Sequence, residues 1–260
     1  MSKDRSPGLN LMIMNYRLEI CAFNLSSALA AQRAGADRIE LCSGPEEGGV
    51  TPSAGLIRTA RELLKIQLYP IIRPREGDFL YSDEEFRIMM RDIELCKQMG
   101  CNGVVIGMLL ADGSVDEQRC ARLVEAASPM GVTFHRAFDR AANPFEALET
   151  IIRIGCERIL TSGQRPTAME GAVLIDELVR EADGRIAIMP GSGLRSANIA
   201  ELVQKTGATE FHTSARIREA SRMEFVNGPM QEDQSVAMAS EEEIRLIKEI
   251  LTSEALTSAS

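Results

Sequence analysis

LEICAFNLSSALAAQRAGADRIELC, residues 18–42, contains one strand phrase twice, separated by a helical stretch. Residues 18–21 and 39–42 each read as an apolar residue, Glu, an apolar residue and Cys. Between them, the apolar residues recur at the spacing of an amphipathic helix, which we predict over 26–34. A strand, a helix and a second strand in this order are typical of the parallel βαβ unit. The stretch therefore predicts an α/β fold with parallel strands.

The same unit recurs along the rest of the chain. The predicted strands are 17–21, 38–42, 68–73, 103–107, 132–135, 158–161, 185–189 and 210–213. The predicted helices are 26–34, 53–65, 82–99, 116–127, 144–154, 168–182, 196–206 and 241–251. Eight such units predict a single-domain (β/α)8 TIM barrel over 17–260. The alternative is an open doubly wound sheet, but a dinucleotide fold would have Gly-x-Gly after its first strand, so no nucleotide cofactor is expected.

Two segments do not follow the repeating pattern. Residues 1–16 are predicted to be an N-terminal extension. Residues 215–240 form a long stretch without clear periodicity between the eighth strand and the last helix. Loops of this length in compact domains are typically lids, interface arms or disordered segments.

The composition excludes several classes of protein. The chain has 260 residues, a net charge of -9 and no cluster of Lys and Arg, so neither nucleic acid nor an anionic membrane is an expected partner. No apolar run approaches the roughly 18 residues of a membrane span. Six cysteines without a CxxC pair exclude a zinc finger and are typical of reduced thiols. We therefore expect a cytoplasmic protein.

The two strand phrases predict a polar barrel interior. Successive side chains of a strand point to opposite faces, so Glu19 and Cys21 share one face, as do Glu40 and Cys42. Directing these faces towards the helices would bury both carboxylates in apolar surroundings, at a high cost. We therefore expect two carboxylates and two thiols in the lumen.

Candidate partners for these carboxylates lie at the ends of other predicted strands. Arg73 ends the third strand, His135 ends the fifth and is followed by Arg136, and His212 lies in the eighth. Catalytic residues of TIM barrels lie at the C-terminal ends of the strands, so this set predicts a functional pocket. The alternative is a buried polar cluster without chemistry, in which every group has a protein partner.

The last two strand–helix loops indicate an anion site. Met189-Pro190-Gly191-Ser192-Gly193 follows the seventh strand, and Ser214 follows the eighth. Glycines let backbone N–H groups approach a ligand, and many barrels hold phosphate in these two loops. A tight turn without a ligand is the alternative.

Several segments together resemble the CutC family of copper homeostasis proteins. They are LEICAFNLSSALAAQRAGADRIELCSGPEEGGVTPSAGLI (18–57), PIIRPREGDFLYSDEEF (70–86), VTFHRAFD (132–139), LTSGQ (160–164) and PGSGLR (190–195). The resemblance covers about 17–214 and implies a TIM barrel, a cytoplasmic location, a homodimer or higher homo-oligomer, and a Cu(I) site at Cys21 and Cys42. Soft Cu(I) prefers thiolate ligands, although the two cysteines could also be buried free thiols.

Two functions remain open from the sequence. The first is Cu(I) binding for copper homeostasis, with copper as the partner. The second is an enzyme acting on a small phosphorylated or carboxylated metabolite, as a lyase, isomerase or hydrolase. Its catalytic residues would be Glu19, Glu40, Arg73 and His135, with the glutamates as general acid or base. The predicted ligand-binding residues are Arg75, Arg136, Asp139, Ser162, Gly191, Ser192, Gly193, His212 and Ser214.

Overall fold

A computed structural model describes residues 15–257 of the chain. Its barrel strands are β1 Arg17–Ala22, β2 Arg38–Leu41, β3 Gln67–Pro70, β4 Gly103–Ile106, β5 Gly131–Phe134, β6 Arg158–Thr161, β7 Ala187–Pro190 and β8 Glu210–Thr213. The helices are α1 Leu25–Arg33, α2 Ala54–Leu63, α3 Asp83–Gln98, α4 Glu117–Ala127, α5 Pro144–Arg153, α6 Ala172–Ala182, α7 Ile199–Thr206 and α8 Glu241–Thr257. The predicted N-terminal extension lies outside the described residues, apart from residues 15 and 16.

The strands form two parallel four-stranded arcs. Their orders are β3-β2-β1-β8 and β4-β5-β6-β7. A parallel bridge between Ile71 and Val105 joins the arcs next to β3 and β4, where the Ile72 N–H donates to the Val105 carbonyl at 2.8 Å. The predicted (β/α)8 barrel is confirmed by this strand order and by the alternation of strands with helices.

The side chains of each strand point alternately to two apolar regions, one between the strands and the helices and one inside the barrel. Leu18 and Ile20 of β1 are fully buried in the large core between strands and helices. Cys21 and Cys42 belong instead to a small cluster with Tyr69, Ile71 and Val105. The alternation of β1 and β2 therefore directs the apolar residues to the helices and the Glu and Cys residues to the lumen.

Local sequence signals determine where the helices begin. At α3, the Ser82 hydroxyl accepts from the Glu85 N–H while the Glu85 carboxylate accepts from the Ser82 N–H, a complete capping box. At α5, Asn143 caps the first turn and Pro144 occupies its first position, where a missing N–H costs nothing. Among residues 15–257, no helix combines the length and apolar character that crossing a bilayer requires.

Residues 215–240 contain structure that the sequence analysis did not predict. Strands β9 Arg216–Glu219 and β10 Val236–Ala239 pair in antiparallel register. The Asn24 amide donates to the Ala237 carbonyl at 2.8 Å, and Arg218 pairs with Glu46 at 2.7 Å. These contacts attach the two-stranded ribbon of β9 and β10 to the start of α1 and to the loop after β2, beside the mouth of the barrel. Because most of its residues are exposed, the ribbon lacks an apolar periodicity that would reveal its strands.

Candidate functional site

A cavity of about 290 Å³ opens at the C-terminal ends of the barrel strands. Nine of the predicted site residues line it. From β1, β2 and β8 they are Cys21, Glu40 and His212. From the segments after β3 and β5 they are Arg73, His135 and Arg136. From the loops after β7 and β8 they are Ser192, Gly193 and Ser214.

Three other predicted residues hold rim loops together. Arg75 pairs with Asp78 and Glu85 at 2.8 and 2.6 Å. Asp139 accepts from the Ser162 N–H and hydroxyl at 2.9 and 3.0 Å, so these two residues join the segments after β5 and β6. None of the three lines the cavity.

The remaining predicted residues lie just beneath the cavity surface. Glu19 and Cys42 are 1% exposed and do not line the cavity. A Cβ on Gly191 would lie 2.4 Å from the Leu160 side chain and 3.3 Å from the His212 ring. The absence of a side chain at Gly191 therefore leaves space for the inward-pointing side chains of β6 and β8.

The buried carboxylates have other counter-charges than the expected Arg73. Glu19 forms a buried ion pair with Arg38, and Glu210 pairs with both Arg38 and Arg158 at 2.7 and 2.8 Å. Arg73, the expected counter-charge of these glutamates, donates to backbone carbonyls instead. Arg38 and Arg73 both face inward, but Arg38 lies directly opposite Glu19 in the register of β1 and β2, whereas Arg73 lies at the cavity.

His212 connects the ion pairs to the cavity. Its Nδ1 lies 2.7 Å from a Glu19 oxygen, and its Nε2 lies 3.7 Å from a Glu40 oxygen. Burial lowers the pKa of His212, but hydrogen bonds with Cys21 and Glu19 and the charges of Glu40 and Glu19 together raise it to about 10. Burial also raises the pKa of Glu19, but the charge of Arg38, the hydrogen bond with His212 and the charges of His212 and Arg158 together lower that pKa well below its usual value. The pair is therefore an imidazolium and a carboxylate at neutral pH.

Two thiols and one carboxyl group lie together beside His212. The Cys21 and Cys42 sulfurs are 3.6 Å apart, and the hydrogen bond between them is the main cause that lowers the pKa of Cys21 to about 6. Burial raises the pKa of both Glu40 and Cys42 well above their usual values. Within the described part of the chain, Cys21, Glu40 and Cys42 are the one group of potential metal ligands whose donor atoms all lie within 4.8 Å of one another.

Arg73 and His135 bring hydrogen-bond donors to the cavity. Arg73 donates to the carbonyls of Glu47, Gly49 and Gly77 at 2.8, 2.8 and 3.0 Å. His135 accepts the Ala137 N–H on Nδ1 at 3.1 Å. Arg73 Nε and His135 Nε2 are buried, and neither has a hydrogen-bond partner within residues 15–257. Burial, followed by the charge of Arg73, lowers the pKa of His135 to about 3.

Two residues essential to this arrangement were missed from the sequence. Arg38 and Arg158 are 1% and 4% exposed and hold Glu19 and Glu210 in place. A signal was available, because both arginines end the similar phrases Gly35-Ala36-Asp37-Arg38 and Gly155-Cys156-Glu157-Arg158. Their strand parity would have placed both side chains in the lumen.

Known proteins of one family are similar to this chain over most of its length. The profile of the CutC family matches residues 16–217. The chain belongs to the CutC family. A CutC family protein from Parabacteroides distasonis is 50% identical over 233 residues, which are 89% of this chain and 96% of that protein. A human protein named copper homeostasis protein cutC homolog is 47% identical over 212 residues, covering 82% of this chain and 78% of its own.

Solved structures agree with the fold. The CutC crystal structure from Streptococcus agalactiae has a TM-score of 0.74 and 32% identity, covering 76% of this chain and 98% of that chain. Phosphoribosylanthranilate isomerase from Thermotoga maritima has a TM-score of 0.59 at 14% identity, covering 92% of this chain and 99% of its own. The isomerase shares only the barrel fold with this CutC family member.

Replacing His135 by Asn is expected to reduce the loss of stability in acid. The folded-state pKa of His135 is about 3, whereas an unfolded histidine titrates near 6.5. Between these values the unfolded chain binds a proton that the folded chain does not, so stability falls as the pH falls, by up to roughly 1.4 kcal/mol per pH unit. Urea unfolding at several pH values should give a shallower slope for the variant. Identical slopes below about pH 6.5 would contradict the assignment.

Proposed function

We propose that this CutC family member binds Cu(I) at Cys21 and Cys42 and acts in copper homeostasis. The observation that carries the proposal is the 3.6 Å separation of the two sulfurs, because one small ion can contact both. The names of its relatives support the same role. Copper is the cargo of the site, so the proposal concerns binding and release and involves no reaction.

The chemistry of the donor atoms fits a soft cation. Thiolates are preferred ligands of Cu(I), and Cys21, with a pKa of about 6, is deprotonated at neutral pH. Cys42 keeps its proton in the protein alone because burial raises its pKa, so binding of the ion would release that proton. Glu40 and His212 lie beside the thiols as polar neighbours.

Two further properties belong to this proposal. A cytoplasmic location would keep the thiols reduced, as Cu(I) binding requires. A homodimer or higher homo-oligomer is proposed from the family resemblance. The oligomer is not needed for copper binding, because the two sulfurs belong to one chain.

Anaerobic competition between the protein and a chromophoric Cu(I) chelator tests the proposal. Wild type should take up one equivalent of Cu(I), and Cys21→Ala or Cys42→Ala should lower the affinity at least tenfold, roughly 1.4 kcal/mol. Cys156→Ala is the matched control, because Cys156 is buried but lies outside the cavity. Unchanged affinity in a Cys21→Ala/Cys42→Ala double variant would overturn the proposal.

A second candidate function is an enzyme acting on a small anionic metabolite. The observation that favours it is the cavity of about 290 Å³, which is larger than a single ion requires and is lined by Arg73, Arg136, Arg195 and Arg216. Burial raises the pKa of Glu40 well above its usual value, and a carboxyl group that holds its proton more tightly is suited to act as a general acid. In a thermal-shift screen, a ligand at 100 times its Kd should stabilise the protein by about 2.7 kcal/mol. No shift with any phosphorylated or carboxylated metabolite would contradict this function.

A further inference from the structure

The loop after β7 has three consecutive backbone donors without acceptors. Ser192 and Gly193 have φ of 82° and 76°, and turns with left-handed residues can direct successive N–H groups into one concave surface. Within residues 15–257, no acceptor receives the N–H groups of Ser192, Gly193 or Leu194. All three residues line the cavity. An anion at this position would satisfy several donors together.

Two arginines add positive charge at the same rim. Arg195 and Arg216 line the cavity, and Arg195 donates to the Arg216 carbonyl at 2.9 Å, which joins the loop after β7 to β9. Glu46 lies 4.0 Å from Arg216 and partly offsets its charge. No carboxylate in residues 15–257 lies within 4.0 Å of Arg195 as an ion-pair partner, so Arg195 provides the available positive charge.

Arg73 and His135 supply donors deeper in the same cavity. They are 5% and 4% exposed, and their Nε and Nε2 atoms have no partner in the described part of the chain. Because His135 Nδ1 accepts the Ala137 N–H, Nε2 carries the proton of the neutral ring. A buried donor without an acceptor costs free energy, and a ligand oxygen would remove that cost at both atoms.

We propose that the cavity binds a small phosphorylated metabolite by its two ends. Its phosphate would lie at the loop after β7, on the N–H groups of Ser192, Gly193 and Leu194 with Arg195. A carbonyl or carboxylate oxygen at its other end would accept from Arg73 and His135. This inference deepens the second candidate function and rests on it. It does not depend on whether the protein binds copper.

The number of donors favours phosphate at the rim. Three N–H groups and a guanidinium match the three terminal oxygens of a phosphomonoester, and guanidinium groups bind phosphate through paired hydrogen bonds. A carboxylate has only two oxygens and would leave donors unused. The cavity volume of about 290 Å³ lies at the low end of ligand pockets, so the metabolite would have few carbon atoms.

Calorimetric titration of metal-free protein tests both ends of the ligand. The probes are 3-phosphoglycerate, which has a phosphate and a carboxylate, glycerol 3-phosphate, which lacks the carboxylate, and glycerate, which lacks the phosphate. Arg195→Gln should weaken both phosphorylated probes about tenfold, the typical value of a charged hydrogen bond. Arg185→Gln is the matched control, because Arg185 is an exposed arginine paired with Glu149.

Variants of His135 test the inner end of the cavity. Asn at position 135 keeps an acceptor for the Ala137 N–H but has no donor at the Nε2 position. His135→Asn should therefore weaken 3-phosphoglycerate about tenfold and leave glycerol 3-phosphate unchanged. His135→Gln, whose amide reaches the Nε2 position, should restore part of the loss. Equal weakening of both probes by His135→Asn would overturn the inner assignment.

The remaining outcomes separate this inference from the proposed functions. If Arg195→Gln and Arg185→Gln bind the phosphorylated probes equally well, the phosphate assignment is overturned. If glycerate binds as tightly as 3-phosphoglycerate, an anionic metabolite remains supported, but a phosphate at the rim does not. If none of the probes binds to wild type while Cu(I) does, this inference fails and the copper proposal stands.

Discussion

Glu19→Gln is expected to lower the free energy of unfolding by about 3–5 kcal/mol, the typical cost of removing one partner of a buried ion pair. Glu19 is 1% exposed and pairs with Arg38 and, at 2.7 Å, with His212. Without its charge, the Arg38 guanidinium stays buried with Glu210 as its remaining carboxylate partner. The loss therefore comes from uncompensated charge, since Gln has nearly the same shape.

Urea unfolding near neutral pH measures this effect, and an exposed ion pair provides the control. Glu117 pairs with Arg153 at 2.7 Å with both side chains about half exposed, so Glu117→Gln should cost at most about 1 kcal/mol. Equal costs for Glu19→Gln and Glu117→Gln would show that burial does not determine the strength of the lumen pairs.

Gly103→Ala is expected to destabilise the barrel by about 3 kcal/mol, the upper end for inserting a methyl group into a packed core. A Cβ at Gly103 would lie 2.1 Å from the Tyr69 ring. The ring cannot move away easily, because the guanidinium groups of Arg38 and Arg158 lie 5.3 and 5.5 Å from its centroid. A hydrogen bond of 2.7 Å to Glu157 also holds its hydroxyl.

Two control variants test whether the clash with Tyr69 causes the loss of stability in Gly103→Ala. A Cβ at Gly55, in α2, would contact only the Ser53 hydroxyl at 4.0 Å, so Gly55→Ala should be neutral or stabilising by up to about 1 kcal/mol. In a Tyr69→Leu background, Gly103→Ala should cost less than in wild type, because the smaller side chain leaves room. An unchanged cost in that background would exclude Tyr69 as the obstacle.

Both predictions concern residues that lie below the cavity. Arg38 holds Glu19 and packs against Tyr69, and Glu19 in turn orients His212. A change in the lower lumen should therefore affect the position of His212 beside Cys21, even though neither Arg38 nor Tyr69 lines the cavity.

The sequence by itself determined the barrel and the direction of the strand side chains. Eight strand–helix units are visible because apolar periodicity is a local property of the chain. Strand parity then placed Glu19, Cys21, Glu40 and Cys42 on the inward faces, since successive strand residues alternate between two faces. The place of the Gly191–Gly193 loop after the seventh strand of a predicted barrel identified it as part of the cavity rim.

Only the tertiary structure decided which polar groups pair with each other. Arg38 meets Glu19 because the register of β1 and β2 places them opposite each other. Glu210 of β8 reaches Arg38 and Arg158, which belong to strands that do not pair with β8. Both arrangements depend on contacts distant in sequence. The ribbon in 215–240 is similar, because its stability depends on pairing between β9 and β10 and on contacts with the barrel. Periodicity shows which way a side chain points, but its partner depends on residues from other strands, which only folding brings close.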